Sequence, residues 1–162
     1  MPVDDDSAQL NRVEVTWDLQ RLQEELCRGA AHQYVHTIAL LRKCSPEAIR
    51  EFNAVFIANK TYFKHLGVET PGQLARALAE IETNAFGGKM LVRGNEESAS
   101  VTYEYCAEWV AIEELSNMAW DERVSLAEHF VHAMEDLAAC FGFTADVSFQ
   151  SGVPTVTFSR CR

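Results

Sequence analysis

The sequence has no run of lysine and arginine, and its acidic side chains outnumber its basic ones 24 to 14, giving a formal net charge of −10. Such a chain repels phosphate backbones and anionic headgroups, so neither nucleic acid nor a membrane is an expected partner. It also lacks any continuous apolar stretch near the ~18 residues that would span a bilayer. Met1 to Asp6 are acidic where a secretion signal is basic, and no apolar segment follows them. Cytoplasmic residence is the expectation. The five cysteines, at 27, 44, 106, 140 and 161, are odd in number and never spaced as CxxC, which argues against a zinc ribbon or a thioredoxin-type redox pair. In a reducing compartment most of them are expected to act as small buried hydrophobes. GxGxxG, Walker A, GxSxG and HExxH are all missing, so dinucleotide, phosphate-loop, serine-hydrolase and zincin chemistry have no local signature. Nor does any carboxylate pair stand out for general acid–base work.

What is present is ordinary globular material. The 162 residues are 48% hydrophobic and 23% charged, enough for one domain with a real core. A single α+β domain over 1–162 is expected, with 1–12 disordered. Helical spacing predicts a first helix over about 13–44, its stripe running through Leu19, Leu22, Leu26, Ala30, Tyr34, Val35, Ile38 and Leu41. Gly29 is read as a bend or a close contact. Ser45-Pro46 starts a second helix carrying Ile49, Phe52, Phe56, Phe63 and Leu66. Thr70-Pro71-Gly72-Gln73 starts a third with a capping box, carrying Leu74, Ala77, Leu78, Ile81 and Ala85 up to the stop at Gly87-Gly88. After Gly88 the period changes from helical to twofold. A strand over 89–93, a turn at Gly94-Asn95 and a longer strand over about 98–111 form a hairpin, with Val101, Tyr103, Tyr105, Ala107 and Trp109 on one face. A helix capped near Asp121 carries Val124, Ala127, Val131, Met134, Ala138 and Phe141, and a second hairpin closes the chain. Three helices, hairpin, helix, hairpin make a two-layer fold, an antiparallel sheet covered by helices.

Three constellations are candidates for chemistry. Tyr103, Tyr105 and Trp109, facing the helices, could line a pocket for a planar ligand, or simply fill a core. Cys106 lies between Glu104 and Glu108 on the other face. As a nucleophile it needs a cation or base nearby, with His129 the candidate partner; without one it is an inert thiol. His32 and His36 are four apart, and His129 and His132 three apart, so two helices could hold a metal with Glu25, Glu128 or Glu135, or each pair could belong to a solvated helix face.

The segments "YFKHLGVETPGQLARALAEI", "YEYCAEW" and "VTFSRC" resemble a group of small bacterial α+β proteins that includes the L-2-amino-thiazoline-4-carboxylate hydrolase-like family, with the 4-vinyl reductase domain among its fold relatives. The resemblance covers the chain from the second helix onward and matches Cys106 and Cys161 without assigning them roles. It implies a domain that binds a small organic ligand, in some members a hydrolase acting on a heterocycle; the expected function is binding or hydrolysis of a small polar heterocycle or amide. The last helix ends in "AACFGF", without the glycine-rich, cysteine-bearing segment of 4-vinyl reductase domains, so no cofactor is carried across. The alternatives are a non-catalytic binding or accessory protein that forms a homodimer, and a helix-held metal protein.

Overall fold

The computed structural model describes residues 17–45, 47–49, 51–52, 63, 67–114, 118–150 and 153–161. The elements run α1 (Leu19–Cys44), α2 (Pro71–Phe86), β1 (Lys89–Gly94), β2 (Ser98–Tyr105), α3 (Ala107–Glu114), α4 (Trp120–Ala139), β3 (Phe143–Gln150) and β4 (Val153–Arg160). The chain is α+β: one antiparallel four-stranded sheet in the order β1-β2-β4-β3, with α2 and α4 packed on it and α1 held against α2 and α3. Most of the helix expected over 45–66, and the start of the one expected from residue 13, lie outside the described residues, as do residues 1–12. Its start signal is formed, since the Ser45 hydroxyl accepts the Ala48 N–H at 3.0 Å.

Local chemistry explains the helix ends. Asp18 caps α1 by accepting the Arg21 N–H at 2.8 Å. Thr70 caps α2 with Pro71 behind it, the Thr70 hydroxyl taking the Gln73 N–H and the Gln73 side chain taking the Glu69 N–H. Gly87, at φ 74°, terminates α2 in the left-handed conformation that favours glycine. The α4 start differs from the expectation: Ala119, not Asp121, is the cap residue. Alanine has no oxygen to offer, and the turn is closed instead by Glu122, whose carboxylate accepts the Ala119 N–H at 3.0 Å. The buried face of α4 is also rotated, comprising Leu126, His129, Met134, Leu137 and Ala138 while Val124 is exposed.

The two inner strands set the register. Ala99 opposes Phe158 and Val101 opposes Val156, and Val101, Val156 and Phe158 are fully buried. Each such side chain contributes about 1.5–3 kcal/mol. The opposite face is polar, with Ser98 bonded to Ser159 at 3.0 Å and Thr102 to Thr155 at 3.1 Å. A slip of one residue would drive these hydroxyls into the core.

The largest correction falls on the long strand. It ends at Tyr105, and Ala107–Glu114 is a helix. Lys89 pairs with Tyr105 but Met90 with Tyr103, so Glu104 is an extra residue on β2. A bulge of this kind breaks the alternation and redirects the chain. Tyr103 is buried while Tyr105 is 40% exposed. Beyond it, Ala107, Ala111 and Ile112 are buried, a spacing of one helical face in a segment rich in the helix formers Ala and Glu.

Candidate ligand site

The buried residues among those described form two clusters. One joins the sheet to α2 and α4; the other joins α1 and α3 to Leu126 of α4. Between them lies a cavity of about 100 Å³. Its walls are apolar, with Val35 and Ile38 from α1, Leu78, Ile81 and Phe86 from α2, Trp109 and Ile112 from α3, and Leu126, Phe130, Met134 and Leu137 from α4. An apolar cavity that accommodates benzene is larger, ~150 Å³, so this space of about 100 Å³ holds one small ring at most.

Into those walls project five polar side chains: Tyr34, Glu82, Cys106, Glu108 and His129. No lysine or arginine lines the cavity among the described residues. Glu82 is only 8% exposed, and its Oε2 atom has no hydrogen-bond partner. Burial holds its carboxyl well above the usual range, and the charge and hydrogen bonding of Glu108 raise it further. The Glu82 carboxyl therefore holds its proton more firmly than a solvated carboxyl does. The same two carboxyls act on their neighbours. Burial first, then Glu108 and Glu82, push the Tyr34 phenol up. Tyr103, fully enclosed beneath, is raised by burial and then by Glu82 and Glu108, and its hydroxyl also lacks a partner. His129 is lowered by burial, then by His132 and Arg42, which keeps its imidazole neutral. Its Nε2 lies 3.5 Å from the Tyr34 hydroxyl.

Cys106 occupies the junction between β2 and α3, not the polar face of the sheet. Its carbonyl accepts the Val110 N–H at 3.1 Å and closes the first turn of α3. Its thiol donates to Glu108 Oε2 at 3.4 Å. Burial and the Glu108 charge push the thiol up, outweighing the Trp109 backbone N–H that favours the thiolate, with Glu82 adding to the rise. The group is a protonated thiol, shielded and held by its neighbours.

The expected aromatic face is dispersed. Tyr103 is core, Tyr105 turns into a separate groove beside His32, and Trp109 enters the cavity from α3. Cys106 and His129 both line the cavity, where the Cys106 thiol bonds Glu108 and His129 lies beside Tyr34. The four histidines expected around a metal do not converge. His32 bonds Glu114 at 2.8 Å, with the tilted His36 ring 6.4 Å away, while His132 bonds Glu135 at 3.1 Å on the surface. A spacing of three residues leaves side chains about 60° apart around a helix, enough to bury His129 while His132 faces outward. Among the described residues no three His, Cys, Asp or Glu side chains form a group able to hold a metal. Nor is any described helix long and apolar enough to cross a membrane.

Glu82, Glu108 and Tyr34 were not singled out as site residues by the sequence. Glu82 had a readable signal, because Leu74, Leu78 and Glu82 follow one another at intervals of four along the apolar face of α2. A carboxyl there breaks the amphipathic pattern. Glu108 had none, since its position depends on the turn from strand to helix at Cys106.

The fold and site thus define an α+β protein with a carboxyl pair set in an apolar cavity. The sequence matches no family model and no curated protein.

Proposed function

We propose that the protein binds a small organic ligand, one ring in size and mostly apolar, in the cavity between its two buried clusters. The observation that carries this reading is an apolar space lined by Glu82, a buried side chain whose Oε2 atom has no hydrogen-bond partner. Pockets for small molecules combine apolar walls with a few convergent polar groups, and a buried carboxyl oxygen without a hydrogen-bond partner costs stability. The resemblance to the hydrolase-like family supports a small heterocycle or amide as the ligand class. Methyl NMR of the full chain with single-ring fragments is the test. Shifts centred on Ile81, Ile112 and Met134, lost in a cavity-filling Ala133→Leu variant, are expected. Shifts that avoid these methyls across the whole set, or that survive the variant unchanged, would refute it.

A hydrolase-like activity is a second reading, favoured by a buried Glu82 carboxyl, raised well above its ordinary range, beside Glu108 in the cavity wall. A neutral acid beside a carboxylate is the arrangement used to donate one proton and accept another. In this reading Glu108 is the base and Glu82 the acid, while Cys106 is not the nucleophile. Glu108→Gln would then lower turnover of a cleavable ring or amide by about 10²-fold or more, and Cys106→Ala would leave it unchanged. The reverse pattern would return the chemistry to the thiol.

A further inference from the structure

We propose that the cavity selects ligands whose ring carries a protonated nitrogen, and that the Glu82–Glu108 carboxyl pair receives that nitrogen; this rests on the cavity being the ligand site. Glu82 Oε2 has no hydrogen-bond partner, and it belongs to a side chain more than nine-tenths buried that lines the cavity. Glu108 lines the same wall. The cavity therefore presents acceptor oxygens and negative charge, and no described lining residue supplies a compensating cation. His129 is held neutral by its burial and by His132 and Arg42, so it does not supply one either.

Three ligand types can be ranked on this ground. An anionic ring would bring a second negative charge into low-dielectric surroundings. A neutral ring would fill the space but leave Glu108 without an opposite charge. A ring bearing an ammonium satisfies the unpartnered oxygen, pairs with the carboxyls through a charge-assisted hydrogen bond, and lies among the aromatic lining residues Tyr34, Phe86 and Trp109. No covalent change is involved. The nitrogen keeps its proton and Glu82 keeps its own.

The test titrates the full chain with benzylamine, benzyl alcohol and benzoate, following cavity methyl resonances. Benzylamine is expected to bind tighter than benzyl alcohol by about tenfold or more, with benzoate weakest. In Glu108→Gln that preference should collapse to within about twofold, whereas Glu82→Gln, which keeps the Glu108 charge, should retain it. Benzyl alcohol binding as well as benzylamine overturns the inference while leaving the cavity as a ligand site. A benzylamine preference that survives Glu108→Gln overturns it too. Failure of all three to reach the cavity methyls defeats the ligand site itself. The ranking in the unmodified chain decides the matter even if the Glu108 variant does not fold.

Discussion

A carboxyl enclosed by apolar side chains is ionised only at the cost of its own desolvation, and Glu82 carries that cost into the stability of the whole chain. The groups facing it are Tyr34, Tyr103, Cys106 and Glu108, none of them cationic. Its value in the folded chain lies well above the ordinary 4.5, so between those two points the folded state holds a proton that the unfolded state has released. Its contribution is fully present below 4.5 and is lost as pH rises through the folded value. His129 acts oppositely: lowered from 6.5, it weakens the fold as pH falls below that value. Glu82→Gln removes the first dependence and keeps the second. Urea unfolding between about pH 5 and 8 should show wild type losing stability relative to the variant as pH rises, with the variant ahead by roughly 1–3 kcal/mol at the alkaline end. Parallel curves would mean that Glu82 is solvated. The site was least legible at this scale. Cys106 was visible in the sequence because a cysteine inside an alternating strand is conspicuous, yet its environment depends on Glu108, which reaches it only once the chain has turned into α3.

Among the elements, periodicity identified α1, α2, α4 and both hairpins, because their apolar residues recur at the spacing each backbone imposes. It failed after Tyr105. Residues 107–109 continue an alternation of small, polar and aromatic side chains, and nothing short of the Glu104 bulge reveals that the strand has ended. Glycines mark the same contrast between what spacing can and cannot reveal. Gly94 has φ 126°, and a Cβ there would collide with the Ser98 carbonyl and the Ala99 backbone; the turn between β1 and β2 requires it. Gly29, read from sequence as a bend or close contact, sits within α1 with nothing within 4 Å of its added Cβ. Gly94→Ala should therefore destabilise by about 2 kcal/mol or more. Gly29→Ala should stabilise by about 0.5–1 kcal/mol, since it removes only unfolded-state freedom. Thermal melts of the two variants should move in opposite directions from wild type. A gain from Gly94→Ala would contradict the turn geometry.

For the molecule as a whole, the cavity's position matters more than its size. It separates a sheet-based cluster from a helical one, so its walls are the surfaces through which the two would otherwise hold each other. The sheet cluster contains the fully buried Val101, Val156 and Phe158, joined by backbone pairing across β2 and β4. Among the described residues the helical cluster is smaller and is built chiefly from α1 and α3, and several α1 side chains, including Leu19, Leu26 and Leu40, are exposed. Fewer buried apolar contacts permit opening below the global unfolding energy. Amide exchange in α1 and α3 should accordingly be faster than in β2 and β4. A ligand filling the cavity contacts Val35, Ile38 and Ile112 on one side and Leu78, Met134 and Leu137 on the other. It binds only when both clusters are in place, so mass action should suppress their separation. Benzylamine, added well above its dissociation constant, should slow exchange most in α1 and α3 and least in the two inner strands. Equal slowing in every element would indicate one cooperative unit, with the ligand raising global stability alone.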